Sequence, residues 1–183
     1  STSTSTATPL AAVPLSREGC EVKPTPAGAD APPPDKTGPY YHQVVLGHST
    51  DGVTVKGATQ VLEHASVPDG VQLTDGRVFI YYINGAHHGI EIALVEGEGV
   101  RPLGPIWLDG IERPSGVVDP DATLLPNGKV RLVYFSGFGP PTPTQAGRTP
   151  TMCLADSDDG IHFTVLGRAI AFNEITTDPS LTR

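Results

Sequence analysis

The feature that most constrains this chain is that it repeats itself. Val67-Pro68-Asp69-Gly70 aligns with Asp119-Pro120-Asp121-Ala122 at an offset of 52 residues. The same offset carries Asp75-Gly76-Arg77-Val78 onto Asn127-Gly128-Lys129-Val130, and the β-rich runs that follow. A third copy opens at Asp178-Pro179-Ser180, 59 residues after Asp119. A second element recurs between these copies. Ser49-Thr50-Asp51-Gly52 matches Ser157-Asp158-Asp159-Gly160, with a degraded version across Val95 to Val100. A unit recurring at this interval cannot cover both of its apolar faces alone and must stack on its neighbours.

The unit is built of strands. Short runs rich in Val, Ile, Tyr and Phe cover Tyr41 to Leu46, Val78 to Ile83, Ile90 to Val95, Val130 to Phe135, Met152 to Ala155 and His162 to Leu166. Gly, Pro, Asn or Asp bounds each one. No long window keeps a 3.6-residue period with helix caps. Asp75-Gly76 and Asn127-Gly128 are hairpin turns, because these pairs accept positive φ. The chain therefore reads as all-β. A repeat of about 50 residues with four short strands is the pattern of a β-propeller blade. Residues 40–56 are expected to supply two late strands, 66–109 and 117–172 two full blades, and 175–183 the start of another. Rings need at least four blades. The propeller is thus expected to be partial here, with about three blades, and to be completed by further chain or a second polypeptide. Arg183 is compatible with cleavage after a basic residue.

Residues 1–38 form a separate Pro/Ser/Thr-rich tail or linker, with the run Pro32-Pro33-Pro34 and no aromatic before Tyr40. Such a stretch lacks the apolar surface to offset its ordering entropy, although part of it could lie along the domain 39–183 if Cys20 is tethered. Twenty Asp+Glu against twelve Lys+Arg give a net charge of -8, which repels phosphate and argues against nucleic acid as a partner. No run reaches the roughly 20 apolar residues of a membrane helix, so no membrane span is expected. Cys20 and Cys153 have no metal-ligand spacing. They form one long-loop disulfide if the protein is exported, or stay as two free thiols. The Ser/Thr-rich start reads as a trimmed or mature end, and a secreted, periplasmic or cell-surface location is expected.

The motifs Asp119-Pro120-Asp121, Asn127-Gly128-Lys129, Tyr134-Phe135-Ser136-Gly137, Ser157-Asp158-Asp159-Gly160 and Asp178-Pro179-Ser180 resemble those of five-bladed propeller glycoside hydrolases of the arabinanase, β-xylosidase and β-fructosidase type. The Ser-x-Asp-Gly element is also similar to the Asp-box of sialidases. The resemblance implies five blades and a carbohydrate bound at the central channel. It implies either hydrolysis there, or a non-catalytic propeller acting as a lectin or interaction scaffold. Glycoside hydrolysis needs two carboxyls, one an acid of raised pKa and the other a base or nucleophile. In the resembling enzymes the base is an Asp before a Pro at an inner-strand start, which Asp119 and Asp178 match. In the first copy that position is Val67 and the carboxylate moves to Asp69. Asp69, Asp119 and Asp178 are therefore the candidate base and modulator, and Glu174 the candidate acid, Glu112 being another possible acid.

Other residues have plainer roles beside their functional ones. Asp51 and Asp159 read as turn-formers. Asp-Pro at a strand start is also ordinary turn chemistry. His88, Arg148 and Trp107 are candidate substrate contacts: His88 from the hairpin that carries His87 ahead of Glu91, Arg148 from the Pro-rich loop Phe138 to Thr151, and Trp107 as a ring that stacks on a sugar if exposed. Adjacent His87 and His88 point to opposite faces of a strand and do not jointly hold a metal. No metal and no cofactor is expected.

Overall fold

A computed structural model describes residues 14–26, 38–87, 89–137, 150–171 and 178–180. The chain is all-β, as expected. After a short 3-10 turn at Pro39–Tyr41, twelve strands follow among the described residues. The first two, β1 (Gln43–His48) and β2 (Lys56–Glu63), form an antiparallel pair. Next come β3 (Ala65–Gln72), β4 (Val78–Asn84), β5 (Gly89–Glu96) and β6 (Gly99–Pro105), a four-stranded antiparallel meander. Two short strands, β7 (Trp107–Leu108) and β8 (Ile111–Glu112), lead to a second meander: β9 (Val117–Leu124), β10 (Val130–Ser136), β11 (Thr151–Ser157) and β12 (His162–Ala171). β7 adds to the outer strand β12 in parallel, extending that sheet to six.

The two meanders are copies in register as well as in sequence. Ala65 faces Asn84 as Val117 faces Ser136, and Asp69 faces Tyr81 as Asp121 faces Val133. Each first strand carries a bulge at the same place, between Ser66 and Asp69 in β3 and opposite Val133/Phe135 in β9. Pro68 and Pro120 sit in those bulges, where a missing N–H leaves no ladder bond unmade. The hairpins at Asp75-Gly76 and Asn127-Gly128 close as expected.

Core residues alternate along these strands and fill the space between successive sheets. The larger cluster joins the meanders and includes Phe79, Tyr81, Ile92, Leu132, Tyr134 and Phe163. A smaller one, around Val44, Leu62, Ala65, Tyr82 and Ala93, joins β1–β2 to the first meander. β3 and β9, the first strands, lie side by side.

One boundary departs from expectation. The second late strand of the first unit runs from Lys56 to Glu63, beyond residue 56, because the Asp51 turn and its exit occupy Ser49 to Val55. The segment expected as tail is tied down over 14–26. Cys20 and Cys153 are disulfide-bonded, with their Cα atoms 5.9 Å apart, and Cys20 is buried in the larger core cluster. Arg168 N donates to Ser16 O (2.6 Å), Thr25 N to Arg113 O (3.1 Å) and Ser115 N to Lys23 O (2.7 Å). Residues 14–26 thus form a strap over β12 and the β7–β8 region. Composition argued against order here because the apolar content is low; a covalent link reduces the entropy that such a segment must lose.

Candidate functional site at the first-strand starts

The repeat recurs in backbone conformation. Val67, Asp119 and Asp178, each directly before a proline, have φ of 47°, 53° and 58°. This left-handed conformation is uncommon outside glycine, tolerable for Asp and strained for β-branched Val. The same sparsely populated geometry thus recurs near the start of β3, near the start of β9 and at the third copy of the sequence repeat. Among the described residues, no helix is long and apolar enough to cross a membrane.

Side chains from these strands cross to the next unit. Asp69 Oδ2 accepts a hydrogen bond from Ala122 N at 2.6 Å, linking β3 to β9. Asp119 Oδ2 accepts one from Asp178 N at 3.4 Å, linking β9 to the third copy. Asp119 is only 8% exposed. Burial pushes its carboxyl above the usual carboxylate range; the Asp178 amide pulls the other way and the Asp178 charge adds to the rise. Asp119 and Asp178 are thus brought together, and Asp69 is one strand away. Asp69 also lines an apolar cleft of ≈ 260 Å³ with Val45, Leu46, Pro68 and Ile80.

The remaining candidates are placed otherwise. Trp107 lies on β7 beyond the outer strand, its ring centroid 5.6 Å from that of His162, four strands away from β9 in the sheet order. Glu112, opposite Trp107, shares that outer position. His88, Arg148 and Glu174 fall outside the described residues, as does loop 138–149.

Two groupings at this same end were not among the candidate site residues. The first is a cleft of ≈ 170 Å³ lined by Tyr40, Tyr41, His42, Gln43, Glu63 and His64. Tyr40 stacks on His64 with centroids 4.1 Å apart, His64 Nδ1 meets Tyr40 O, and His42 Nδ1 meets Ser66 Oγ at 2.8 Å. Tyr41 packs edge-on to Tyr40 and is 40% exposed. The second is Glu91 with its three neighbours Tyr82, Asn84 and His87 in the β4–β5 hairpin. The sequence had already placed His87 and Glu91 together on one hairpin, whereas the Tyr40–His64 cleft gathers residues distant in the sequence, which spacing alone did not bring forward.

The Ser-x-Asp-Gly elements lie at the other end. Both fold identically: Ser49 Oγ donates to Asp51 Oδ1 and Ser157 Oγ to Asp159 Oδ1, each at 2.9 Å. The glycine amides, Gly52 N and Gly160 N, donate back to the serine oxygens at 2.8 Å. Asp51 Oδ1 takes the amides of Val53 and Thr54, and Asp159 Oδ1 those of Ile161 and His162. Their turn-forming role is fully accounted for by these bonds.

No protein-family model matches this chain, and a comparison with curated proteins finds no match either.

Proposed function

We propose that this chain is an arc of an exported β-propeller that binds carbohydrate where its inner strands begin. β3, β9 and the Asp178 segment are then successive inner strands, and the pair β1–β2 holds the third and outer strands of a blade. The Asp51 turn between β1 and β2, matching the Asp159 turn between β11 and β12, supports that assignment. Two strands do not make a blade, so further polypeptide supplies its inner half and closes the ring, at five blades by the resemblance. The disulfide is compatible with export.

The observation that carries the carbohydrate reading is the company at that one end: the desolvated Asp119 next to Asp178, together with the tyrosine- and histidine-lined cleft. Sugars are recognised by an aromatic face for their C–H surface and by fixed polar groups for their hydroxyls. Binding without turnover is favoured because Asp69 and Asp119 each accept a backbone amide from the next copy of the repeat, which ties their carboxylates to linkage between units. Hydrolysis is the second reading. It draws on the raised proton affinity of Asp119, the property required of a glycosidic acid or of its modulator.

Calorimetric titration with arabino-, xylo-, fructo- and sialo-oligosaccharides tests the proposal, alongside chromogenic glycosides of the same sugars. Saturable binding to one class without turnover is expected. Turnover that D119N abolishes would replace binding by hydrolysis, and absence of binding to all four classes would remove the carbohydrate reading.

A further inference from the structure

The two meanders solve one buried position in different ways. Tyr82 on β4 and Tyr134 on β10 are equivalent by the 52-residue offset, and each is buried. Directly opposite Tyr82 is Glu91; directly opposite Tyr134 is Cys153, one half of the disulfide. Tyr134 Oη has no hydrogen-bond partner among the described residues, whereas Tyr82 Oη donates to Glu91 Oε2 at 3.0 Å. The fold therefore does not require a carboxylate at this register. Burying one is unfavourable unless it is fully hydrogen-bonded. Glu91, 6% exposed, is so bonded. Besides Tyr82, Asn84 Nδ2 donates to Oε2 at 2.9 Å, and His87 Nδ1 bonds to Oε1.

The cluster is also braced by the backbone of its own hairpin. Asn84 Oδ1 accepts the amides of Ala86 (2.9 Å) and His87 (3.2 Å), fixing the hairpin from which His87 projects. In its neutral form, with Nδ1 donating to the carboxylate, the imidazole has its lone pair on Nε2. That nitrogen has no partner among the described residues, and the His87 side chain is 35% exposed. The hairpin lies at the end where β3 starts, since Ala65 faces Asn84 and Gly85 N donates to His64 O. β9 packs against β3, β4 and β5, which brings the starts of both inner strands to the same side.

We propose that His87, oriented by the buried carboxylate of Glu91, is a ligand contact on this face, its Nε2 accepting a hydrogen bond from a hydroxyl of the bound sugar. The inference rests on the carbohydrate reading and names an acceptor that it lacked. Glu91 is a positioning residue: it touches no ligand and sets which ring nitrogen presents the lone pair. An acceptor held in place discriminates for a hydroxyl donor and against a deoxy analogue, because the alternative leaves an oriented group unpaired.

The test is titration of the wild type, H87A, H87Q and E91Q with the best-bound oligosaccharide, combined with ¹⁵N spectra of the histidine rings. Thermal unfolding of each variant serves to exclude misfolding. In the wild type the His87 spectrum should show the Nδ1–H tautomer, with the Nε2 resonance moving on ligand addition. H87A should bind about 10-fold more weakly, the loss of one hydrogen bond to an oriented group. H87Q should recover part of that loss through its amide oxygen, and E91Q should mix the tautomers while weakening binding less than H87A. Unchanged affinity in a folded H87A, or an Nε2–H tautomer in the wild type, overturns the inference and leaves the carbohydrate reading standing. A wild type that binds no oligosaccharide overturns both.

Discussion

At the scale of single residues, two aspartates face opposite electrostatic demands, and each gives a measurable sign. Asp119 is driven above its ordinary proton affinity by burial, with the Asp178 charge adding to it. A carboxyl whose folded pKa exceeds its unfolded value of roughly 3.9 binds the proton more tightly when folded, so stability falls as pH rises through that window. D119N removes the burdened charge, and Asn accepts the left-handed φ as Asp does. D119N should therefore raise the unfolding temperature at pH 7 by a few degrees, with the gain shrinking toward pH 3 in thermal melts. Asp159 shows the reverse. Burial alone would raise it, but the His162 and Ile161 amides, the His162 ring and the Ser157 hydroxyl outweigh that and hold it far below the usual carboxylate range. Its contribution is present above about pH 3.9 and is lost as pH falls toward its folded value. D159N should accordingly destabilise at pH 7, with the deficit closing in acid. If the two variants shift stability in the same direction across that range, the assignment of one carboxylate to a desolvated site and the other to a turn is wrong.

At the scale of elements, the strap and the glycines that admit it carry the next expectations. Cys20–Cys153 closes a loop with a sequence separation of 133. A bond across so long a loop typically stabilises by about 2–5 kcal/mol. C20S/C153S should lower the denaturation free energy by that order, and the amides of residues 14–26 should exchange faster than those of β4 or β10. Retained protection in the strap would show that its backbone bonds suffice without the disulfide. Gly160 is a second point of contact: at φ 78°, a Cβ there would lie 3.0 Å from the Phe79 ring and from Tyr81 Oη, and Tyr81 Oη donates to Gly160 O at 2.7 Å. G160A should therefore destabilise by about 2 kcal/mol or more by urea unfolding, from backbone strain and overpacking together. The same change at Gly52 should cost less, because nothing lies within 4 Å of its missing Cβ.

These elements also show what the chain discloses before folding. The 52-residue offset was legible because Pro, Asp-Gly and Asn-Gly punctuate both copies, and it carries over into register, bulge and φ. β4, β5, β10 and β11 were legible as apolar β-rich runs. β2 and β6 were harder to read. β2 is exposed over most of its length and β6 contains Pro102 and Gly104, as suits strands at a sheet edge. The Asp-Pro pairs pointed to Asp119 and Asp178 through local chemistry. His87 and Glu91 were visible together on one hairpin, but the bonds from Tyr82 and Asn84 to Glu91, and the Tyr40–His64 cleft, come from the pairing of strands and turns, which no local pattern states. The strap depends on one covalent bond between residues far apart in the chain.

At the scale of the whole molecule, the proposed ring would make the sheets radiate from an axis lined by β3, β9 and the segment at Asp178. Such packing explains why polar links run between first strands, from Asp69 to Ala122 and from Asp119 to Asp178, while the Asp51 and Asp159 turns sit at the opposite end. The most direct measurement is a crystal structure of the intact protein with its best-bound oligosaccharide. The expected result is a closed ring of four-stranded sheets, with the sugar at the end that holds Asp119 and His87. Sheets stacked face to face as a sandwich, or a sugar seated by the Asp51 and Asp159 turns, would contradict it.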